Sequence, residues 1–291
     1  MKQKQVSEKA YAKINLILKV TGKRADGYHN LQTVFQSLAL HDVLTFSAAA
    51  PDEVSLSTNI PTLSTEADNL VWLAAVKLKE FYGIRKGVHI DLQKNIPIAA
   101  GLGGGSSDAA ATLRGLVRFW QLPWEWSSLQ KIAAQLGSDV PFCLQGGTAL
   151  GTGRGEKLRS LMPLPFFYVV LANPGFAVST AAIYKALRSA EIEETANISD
   201  MLQAIEAGDC QGVLTHLSNT LEIPAFRLYP AVQVLKNEME KTGAAVLMSG
   251  SGPTVFALFT TKQAADAAKA ALEKKAKWVY LTTTHAGIGR R

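Results

Sequence analysis

The sequence has little cysteine and no long apolar run. Its 2 cysteines, Cys143 and Cys210, show neither a CxxC spacing nor a histidine at zinc-ligand spacing. This excludes a disulfide-stabilised miniprotein and predicts two small core residues of a reduced, cytoplasmic protein without structural zinc. The longest apolar run, 161–172, contains two prolines and is shorter than the roughly 20 residues of a membrane helix. Because Glu8, Lys9 and Lys13 interrupt the N-terminal segment, we expect no signal peptide.

An excess of one charge is also small. The chain has 30 Lys and Arg against 24 Asp and Glu, a formal net charge of +6, and its basic residues are scattered. The modest clusters at 269–277 and at Arg290 and Arg291 are typical of a surface helix and a basic terminus rather than of a nucleic-acid groove. With 47% hydrophobic residues over 291 positions, the chain is predicted to be ordered and to form two domains with separate cores.

The secondary-structure patterns predict an α+β protein with a domain boundary near residue 157, giving domains 1–157 and 158–291. In the first domain, strands are predicted at 11–20, 31–35, 42–47, 54–56 and 88–92. Helices are predicted at 69–82, with Asp68 or Asn69 as cap and Gly83 as stop, from near Ser106, and from a Ser127 cap to Gly137. The second domain is predicted to form a ferredoxin-like split βαβ sheet. Its strands are predicted at 167–172, 245–248, 254–259 and 279–283, and its helices at 181–187, 200–207, 210–217, 230–241 and 262–274.

The segment 97–109 holds four glycines between a predicted strand and the start of a helix. Glycine lets the backbone approach a ligand closely, and a helix N-terminus carries a partial charge of about +0.5, so this pattern favours phosphate binding. The Walker pattern is absent because no lysine follows the last glycine, and the Rossmann spacing fails at Ser106. A flexible turn without a ligand is the alternative.

Four other features are ordinary when each is considered alone. Lys13 and Asn15 share one face of a strand by period-two alternation, where a lysine usually protects a sheet edge. Asp139 follows a helix end and could simply cap the next helix. The segment 248–254 could form a hairpin turn or an anion-binding nest. The turn 24–29 ends in a tyrosine and a histidine.

Together and in this order, these segments resemble the GHMP small-molecule kinase family. Its members carry a lysine-bearing N-terminal strand, a Pro-x-x-x-Gly-Leu-Gly-Ser-Ser-Ala-like loop and a C-terminal glycine-rich turn, and the resemblance covers nearly the whole chain. It implies a two-domain α+β fold with an N-terminal ribosomal-protein-S5-like domain and a C-terminal ferredoxin-like domain. Asp108 stands where the family usually has alanine, and we interpret it as a capping residue.

Within the family, four segments resemble the kinase that phosphorylates the 2-hydroxyl of a cytidine-diphosphate-linked methylerythritol in the non-mevalonate isoprenoid pathway. These segments are 12–16, 24–29, 103–107 and 137–141. The resemblance implies that the ligands are ATP with Mg²⁺ and a cytidine-diphosphate-linked sugar alcohol, without a metal held tightly by the protein. It also implies a monomer or weak homodimer that binds neither nucleic acid nor membrane.

The resemblance assigns roles to individual residues. Asp139 takes the proton of the attacking hydroxyl, while Lys13 lowers the pKa of that hydroxyl and offsets charge as the phosphoryl moves. Asn69 and Lys94 are expected near the adenine, and Ser107 near the metal or the β-phosphate. The remaining ATP-binding residues are expected to be Pro97, Ala99, Ala100, Gly101, Leu102, Gly103, Gly104, Gly105 and Ser106.

The acceptor side follows from the same resemblance. Tyr28 is expected to stack on cytosine and His29 to hydrogen-bond its edge, while Thr180 and Tyr184 form the opposite wall. Asn15 is expected to orient the diphosphate or the hydroxyl. The glycine-rich turn adds the substrate-binding residues Gly250, Ser251 and Gly252.

Two alternatives stay open. One is a GHMP kinase for another alcohol, such as mevalonate or homoserine, but neither carries a base for Tyr28 and His29 to bind. The other is a catalytically silent ligand sensor with the same fold, which would have no need of both Lys13 and Asp139.

Overall fold

The computed structural model describes residues 5–188, 190–193 and 197–287, which form two compact units. Unit 1 takes its described residues from Met1–Ala12, Leu40–Ile98 and Gly103–Gln145. Unit 2 takes its own from Lys13–Ala39, Ala99–Leu102 and Gly146–Arg291. The boundary near residue 157 stays a prediction, and the basic pair Arg290 and Arg291 lies outside the described residues.

The strands are β1 (Val6–Lys23), β2 (His29–Ser47), β3 (Val54–Thr58), β4 (Val88–Gln93), β5 (Thr148–Thr152), β6 (Lys157–Ser160), β7 (Tyr168–Asn173), β8 (Ser218–Asn219), β9 (Ala245–Met248), β10 (Val255–Phe259) and β11 (Trp278–Thr283). The helices are α1 (Leu70–Tyr82), α2 (Gly104–Trp120), α3 (Trp126–Leu136), α4 (Val140–Gln145), α5 (Thr180–Ala186), α6 (Ala190–Glu193), α7 (Ile198–Glu206), α8 (Cys210–Thr215), α9 (Glu222–Leu228), α10 (Pro230–Glu240) and α11 (Lys262–Leu272).

Unit 1 packs helices beside a small mixed sheet. Strand β4 pairs antiparallel with β2, with Leu44 opposite Leu92, and parallel with β3. Helix α1 packs against α2 and α3, and most of α2 is buried. The Asn69 side chain accepts a hydrogen bond from Val71 N at the start of α1, and Gly83 ends that helix, so both predicted boundaries are confirmed.

Unit 2 contains an antiparallel sheet in the order β11-β7-β10-β9. Helices α5 to α10 fall between β7 and β9 in the chain, and α11 joins β10 to β11. The first strand of this sheet, β7, thus lies between the fourth, β11, and the third, β10. This is the split βαβ arrangement, so the ferredoxin-like prediction is confirmed. Val170, Ala257, Val232 and Leu272 lie in the buried core that this sheet shares with α10 and α11. In the same unit, β2 pairs with β5, β5 with β6, and β1 with β8.

Several local predictions need correction. The strands predicted at 31–35 and 42–47 are one continuous strand, β2, because the polar residues between them are held by neighbours, with Gln36 still paired with Thr148 of β5. Ser127 is not the cap of α3, since the helix begins at Trp126 and Glu125 precedes it without a side-chain capping bond. Cys143 is buried as predicted. Cys210 is only half-buried, because it opens α8 directly after the capping residue Asp209.

The helices in the described ranges are all too short or too polar to cross a lipid bilayer.

Candidate active site

In unit 2, the glycine-rich segment 99–102 packs against the turn between β9 and β10. Ser249 Oγ donates to the Gly101 carbonyl at 2.9 Å, and Thr254 N donates to the Ala100 carbonyl at 3.3 Å. Gly101 has a φ of +76°, and a Cβ added there would lie 2.2 Å from the Ser249 carbonyl oxygen. Glycine is therefore required at Gly101 by both backbone conformation and space. The segment 248–254 is confirmed as a hairpin turn, because β9 and β10 are antiparallel neighbours.

Polar side chains of β1 and β2 form a chain of hydrogen bonds next to the glycine-rich segment. Lys13 N donates to the Leu102 carbonyl at 2.9 Å, and Lys13 Nζ donates to Asn15 Oδ1 at 2.9 Å. Asn15 Nδ2 in turn donates to Thr33 Oγ1 at 2.7 Å, so the predicted common face of Lys13 and Asn15 is confirmed. Lys13 is 4% exposed. Its ammonium is thus desolvated, which strengthens its interaction with any negative charge in contact with it.

The hairpin turn comes close to this lysine. A Cβ added at Gly250 would lie 3.3 Å from Lys13 Nζ and 3.4 Å from Asn15 Oδ1. Asn219 holds the turn, because its Nδ2 donates to the carbonyls of Met248 and Gly250, each at 2.8 Å. Asn219 was not singled out from the sequence, since it lies outside every glycine-rich motif.

Glu222 supports the same turn from α9. One carboxylate oxygen accepts from Met248 N at 2.8 Å, and the other accepts from Lys236 Nζ at 2.7 Å. Burial raises the pKa of Glu222, and the charge of Lys236 opposes this shift. Glu222 was also not singled out from the sequence, where it reads as an ordinary acidic residue in the first turn of a helix.

The residues predicted for the acceptor form two contacts in unit 2. The His29 and Tyr184 rings stack with centroids 5.2 Å apart at 29°, and Thr180 Oγ1 lies 2.8 Å from Ser251 Oγ. Tyr28 is 56% exposed, and the Arg154 guanidinium lies 4.8 Å from its ring centroid. One face of Tyr28 is thus covered by a cation.

The turn that carries Tyr28 is fixed by its own polar residues. Arg24 pairs with Asp26 at 3.0 Å, and Asp26 accepts a hydrogen bond from Tyr28 N at 3.2 Å.

Burial, followed by the positive charge of Lys23, lowers the pKa of His29. This shift favours the neutral imidazole, which can both donate and accept a hydrogen bond.

In unit 1, the other half of the glycine-rich segment opens α2. Gly103 precedes the helix with a φ of +68° and provides no side-chain cap, so the first backbone N–H groups of α2 are available to a ligand by helix geometry. Ser107 Oγ donates to the Tyr11 carbonyl at 2.6 Å, and the residue is 1% exposed. The Ser107 hydroxyl proton is thus donated within the protein, and the expected position of Ser107 near the metal or the β-phosphate stays a prediction. Ser106 is half-buried and Gly105 exposed.

Lys94 forms a buried ionic cluster in unit 1. Its Nζ lies 2.5 Å from Asp42 Oδ2 and 2.7 Å from Asp108 Oδ2. Asp108 lies in the second turn of α2 rather than at its start, so the interpretation of Asp108 as a capping residue is wrong. Burial raises the pKa of Asp108 to about 8, an effect that Asp42 increases and Lys94 opposes. Burial lowers the pKa of Lys94, but the two carboxylates raise it more.

The remaining predicted residues occupy defined positions in unit 1. Asn69 donates to the Ser64 carbonyl at 2.6 Å as well as capping α1, so its amide is already bonded within the protein. Asp139 is half-buried directly before α4, and its carbonyl accepts from Cys143 N at 3.0 Å. Among the residues described, no group of three or more His, Cys, Asp or Glu could hold a metal ion.

Two family models match separate parts of the chain. The model of the GHMP kinases N-terminal domain matches residues 69–147, and that of the GHMP kinases C-terminal domain matches residues 201–277. This chain belongs to the GHMP kinases, a family of ATP-dependent phosphotransferases with a two-domain α+β fold.

Similar curated proteins narrow the comparison. The chain is 48% identical over 255 residues to the 4-diphosphocytidyl-2-C-methyl-D-erythritol kinase of Bacillus licheniformis, covering 87% of this chain and 88% of the relative. It is 41% identical over 282 residues to the protein of that name from Caldicellulosiruptor bescii, covering 97% and 99% of the two chains.

Two solved kinase structures are similar to this chain over nearly its whole length. A crystal structure of 4-(cytidine 5'-diphospho)-2C-methyl-D-erythritol kinase superposes with a TM-score of 0.81 at 36% identity, covering 97% of this chain and 100% of the other. Homoserine kinase from Cytophaga hutchinsonii has a TM-score of 0.75 at 18% identity, covering 97% and 95%, and supports the fold alone.

Proposed function

We propose that this chain transfers the γ-phosphoryl group of ATP to the 2-hydroxyl of 4-diphosphocytidyl-2-C-methyl-D-erythritol, a step of the non-mevalonate route to isoprenoid precursors. The observation that carries the proposal is the stacking of His29 on Tyr184 at 5.2 Å, with the exposed Tyr28 as the preceding residue in the chain. Aromatic faces and a neutral imidazole edge suit a nucleobase. The relatives named for this acceptor support the same substrate.

Asp139 is proposed as the general base and Lys13 as the electrostatic catalyst. Asp139 would accept the proton of the attacking hydroxyl as that oxygen bonds to the γ-phosphorus and the bond to the leaving oxygen of ADP breaks. Lys13, desolvated at 4% exposure, would stabilise the charge that develops on the transferring group. No covalent intermediate is needed, because phosphoryl transfer depends mainly on positioning and charge stabilisation.

On the ATP side, we propose that the phosphates bind the backbone N–H groups around Gly103 and the start of α2. The absence of a side-chain cap on α2 supports this proposal. Mg²⁺ would enter with ATP, held by the phosphates and water and neutralising their charge. We retain Asn69 and Lys94 as residues near the adenine, with their side chains held in place by partners within the protein.

On the acceptor side, we propose that cytosine contacts the rings of Tyr28 and Tyr184 and that His29 bonds its edge. With Arg154 covering one face of Tyr28, stacking would use the opposite face. Thr180 and Ser251, joined at 2.8 Å, and the adjoining Gly250 and Gly252 would contact the sugar-alcohol diphosphate, which Asn15 would orient.

We also propose that the protein acts in the cytoplasm as a monomer or weak homodimer. The two free cysteines among the described residues support a reduced compartment. The small net charge of +6 supports the absence of a nucleic-acid partner. Sedimentation at several protein concentrations tests the oligomeric state, and a tight dimer at nanomolar concentration would contradict this part of the proposal.

The function is tested by measuring ADP release with three acceptors. We expect turnover with 4-diphosphocytidyl-2-C-methyl-D-erythritol and background rates with mevalonate and homoserine. In the nuclear magnetic resonance spectrum of the product, the new phosphorus should couple to carbon 2 of the methylerythritol. Turnover with mevalonate or homoserine alone would indicate another GHMP kinase specificity. Binding of both ligands without turnover would indicate a sensor.

A further inference from the structure

Asp42 is a fully buried carboxylate on β2, with 0% exposure, in unit 1. Its Oδ1 accepts hydrogen bonds from the backbone N–H groups of Asn95, at 2.5 Å, and Ile96, at 2.8 Å. Its Oδ2 pairs with Lys94 Nζ at 2.5 Å. One side chain thus holds three successive residues of the connection that follows β4.

Lys94 links this connection to helix α2. Its Nζ also pairs with Asp108 at 2.7 Å in the second turn of the helix. A Cβ added at Gly104, the first residue of α2, would lie 3.2 Å from Lys94 Nζ and 3.1 Å from Ile96 Cγ2. The ammonium and the isoleucine therefore lie against the first turn of the helix.

The Asp42–Lys94–Asp108 cluster differs from a simple buried ion pair, because one lysine has two acidic partners. It places two carboxyl groups on one ammonium, and the second oxygen of Asp108 is buried with no hydrogen-bond partner within the described part of the chain. A buried ionic cluster costs desolvation energy and is often no more stabilising than apolar residues of similar size. What the cluster does provide is a fixed geometry, joining β2, the connection 94–96 and the start of α2.

We propose that Asp42 is a positioning residue for ATP: through Lys94 and the backbone of residues 95 and 96, it holds the start of α2 in the geometry that binds phosphate. The proposal rests on the proposed function, which assigns phosphate binding to this helix start. Backbone donors bind phosphate only when their N–H groups converge, so a small displacement of the first turn weakens the nucleotide more than it weakens the fold.

The test compares nucleotide binding with acceptor binding in Asp42→Asn. The asparagine oxygen can still accept from residues 95 and 96, but its amide group then faces Lys94 Nζ, and two donors cannot bond each other. We expect the Kd of a non-hydrolysable ATP analogue to rise about tenfold or more, while the Kd of cytidine diphosphate stays within about twofold. Calorimetric titration measures both, and steady-state kinetics should show a larger change in KM for ATP than in kcat.

Glu8→Gln is the matched control. It removes the charge of the half-buried Glu8, which pairs with Arg114 at 2.9 Å and with Arg118 and so joins β1 to later turns of α2 in the same unit. We expect this variant to lose stability while keeping the nucleotide affinity of the unmodified chain. Equal loss of nucleotide affinity in both variants would show a general effect of destabilising unit 1 and would overturn the proposal.

Lys94→Met provides a second test, should Asp42→Asn not fold. Methionine fills the volume of the lysine stem, and the two carboxyls can share one proton when no ammonium lies between them. The same selective loss of nucleotide affinity is expected. If neither variant folds while Glu8→Gln does, the cluster serves folding only and the proposal is overturned.

The two proposals fail differently. An unmodified chain that binds no ATP analogue would refute the proposed function. An unmodified chain that binds it, with Asp42→Asn and Lys94→Met binding it equally well, would refute only the role of Asp42.

Discussion

The Ser249 hydroxyl donates a 2.9 Å hydrogen bond to the carbonyl of Gly101, although the two residues are 148 positions apart in the chain. One belongs to the β9–β10 turn and the other to the glycine-rich segment before α2. Because Asn219 also bonds the carbonyls of Met248 and Gly250, the conformation of each glycine-rich turn in unit 2 depends on partners outside it.

This contact predicts that Gly101→Ala destabilises the protein by more than about 1 kcal/mol. The new Cβ would overlap the Ser249 carbonyl, and the φ of +76° disfavours any side chain. Urea unfolding measures the loss. Gly105→Ala is the control, since Gly105 lies within helix α2 and an added Cβ would lie at the ordinary contact distance of 3.7 Å from Leu70 Cδ1. Because alanine favours helices, the free energy of unfolding should stay the same or rise. Equal losses in the two variants would contradict the prediction.

Asp139→Asn is expected to abolish turnover while both ligands still bind. The amide keeps the shape of the side chain but cannot accept a proton. Single-turnover kinetics and calorimetry on the same preparation separate chemistry from binding. Asp266→Asn, at an exposed ion pair on α11, should keep full activity. Turnover of Asp139→Asn at the unmodified rate would leave Asp139 with no catalytic role.

Lys13→Ala is expected to lower kcat by about 10²–10³-fold, because a desolvated cation that stabilises the transferring phosphoryl is lost. Its hydrogen bond to Asn15 at 2.9 Å would also be lost, so Asn15→Ala should be measured beside it. A smaller loss of kcat in Asn15→Ala would separate the charge from the positioning. A change confined to KM would instead make Lys13 a binding residue.

Tyr28→Ala should weaken the acceptor by roughly one to two powers of ten and leave ATP affinity unchanged, since base stacking contributes about 1–3 kcal/mol. Competition with cytidine diphosphate measures the loss. Tyr280→Ala removes another exposed tyrosine of unit 2, 41% exposed on β11, and should have no effect. Weakened ATP binding in Tyr28→Ala would refute the assignment of the acceptor side.

Asp108→Asn should flatten the pH dependence of stability. In the folded chain the pKa of Asp108 is about 8, against an ordinary value of 3.8. Between these values the folded state keeps a proton that the unfolded state has lost, so the free energy of unfolding falls as pH rises. Urea unfolding at pH 5, 6.5 and 8 should show wild type losing stability relative to the variant. Parallel curves would mean that Asp108 titrates in its ordinary range.

Much of the local structure could be predicted from the sequence, because its causes are local. Asn69 and Gly83 bound α1 as predicted, since capping depends on residues within one turn. The alternation of Lys13 and Asn15 placed both on one face of β1. The errors at Ser127 and Asp108 were also local: several polar residues can stand near a helix start, and packing decides which one caps it or whether any does.

The sequence by itself determined the α+β class, the glycine-rich segments and the residue types suited to phosphoryl transfer, because periodicity, chain flexibility and side-chain chemistry are properties of short segments. Only the tertiary structure decided that Ser107 donates to Tyr11, that His29 stacks on Tyr184 and that Asp42 holds Lys94. Those partners are distant in the chain. Their pairing depends on strand register and helix packing, in which many residues act together and no short segment specifies the outcome.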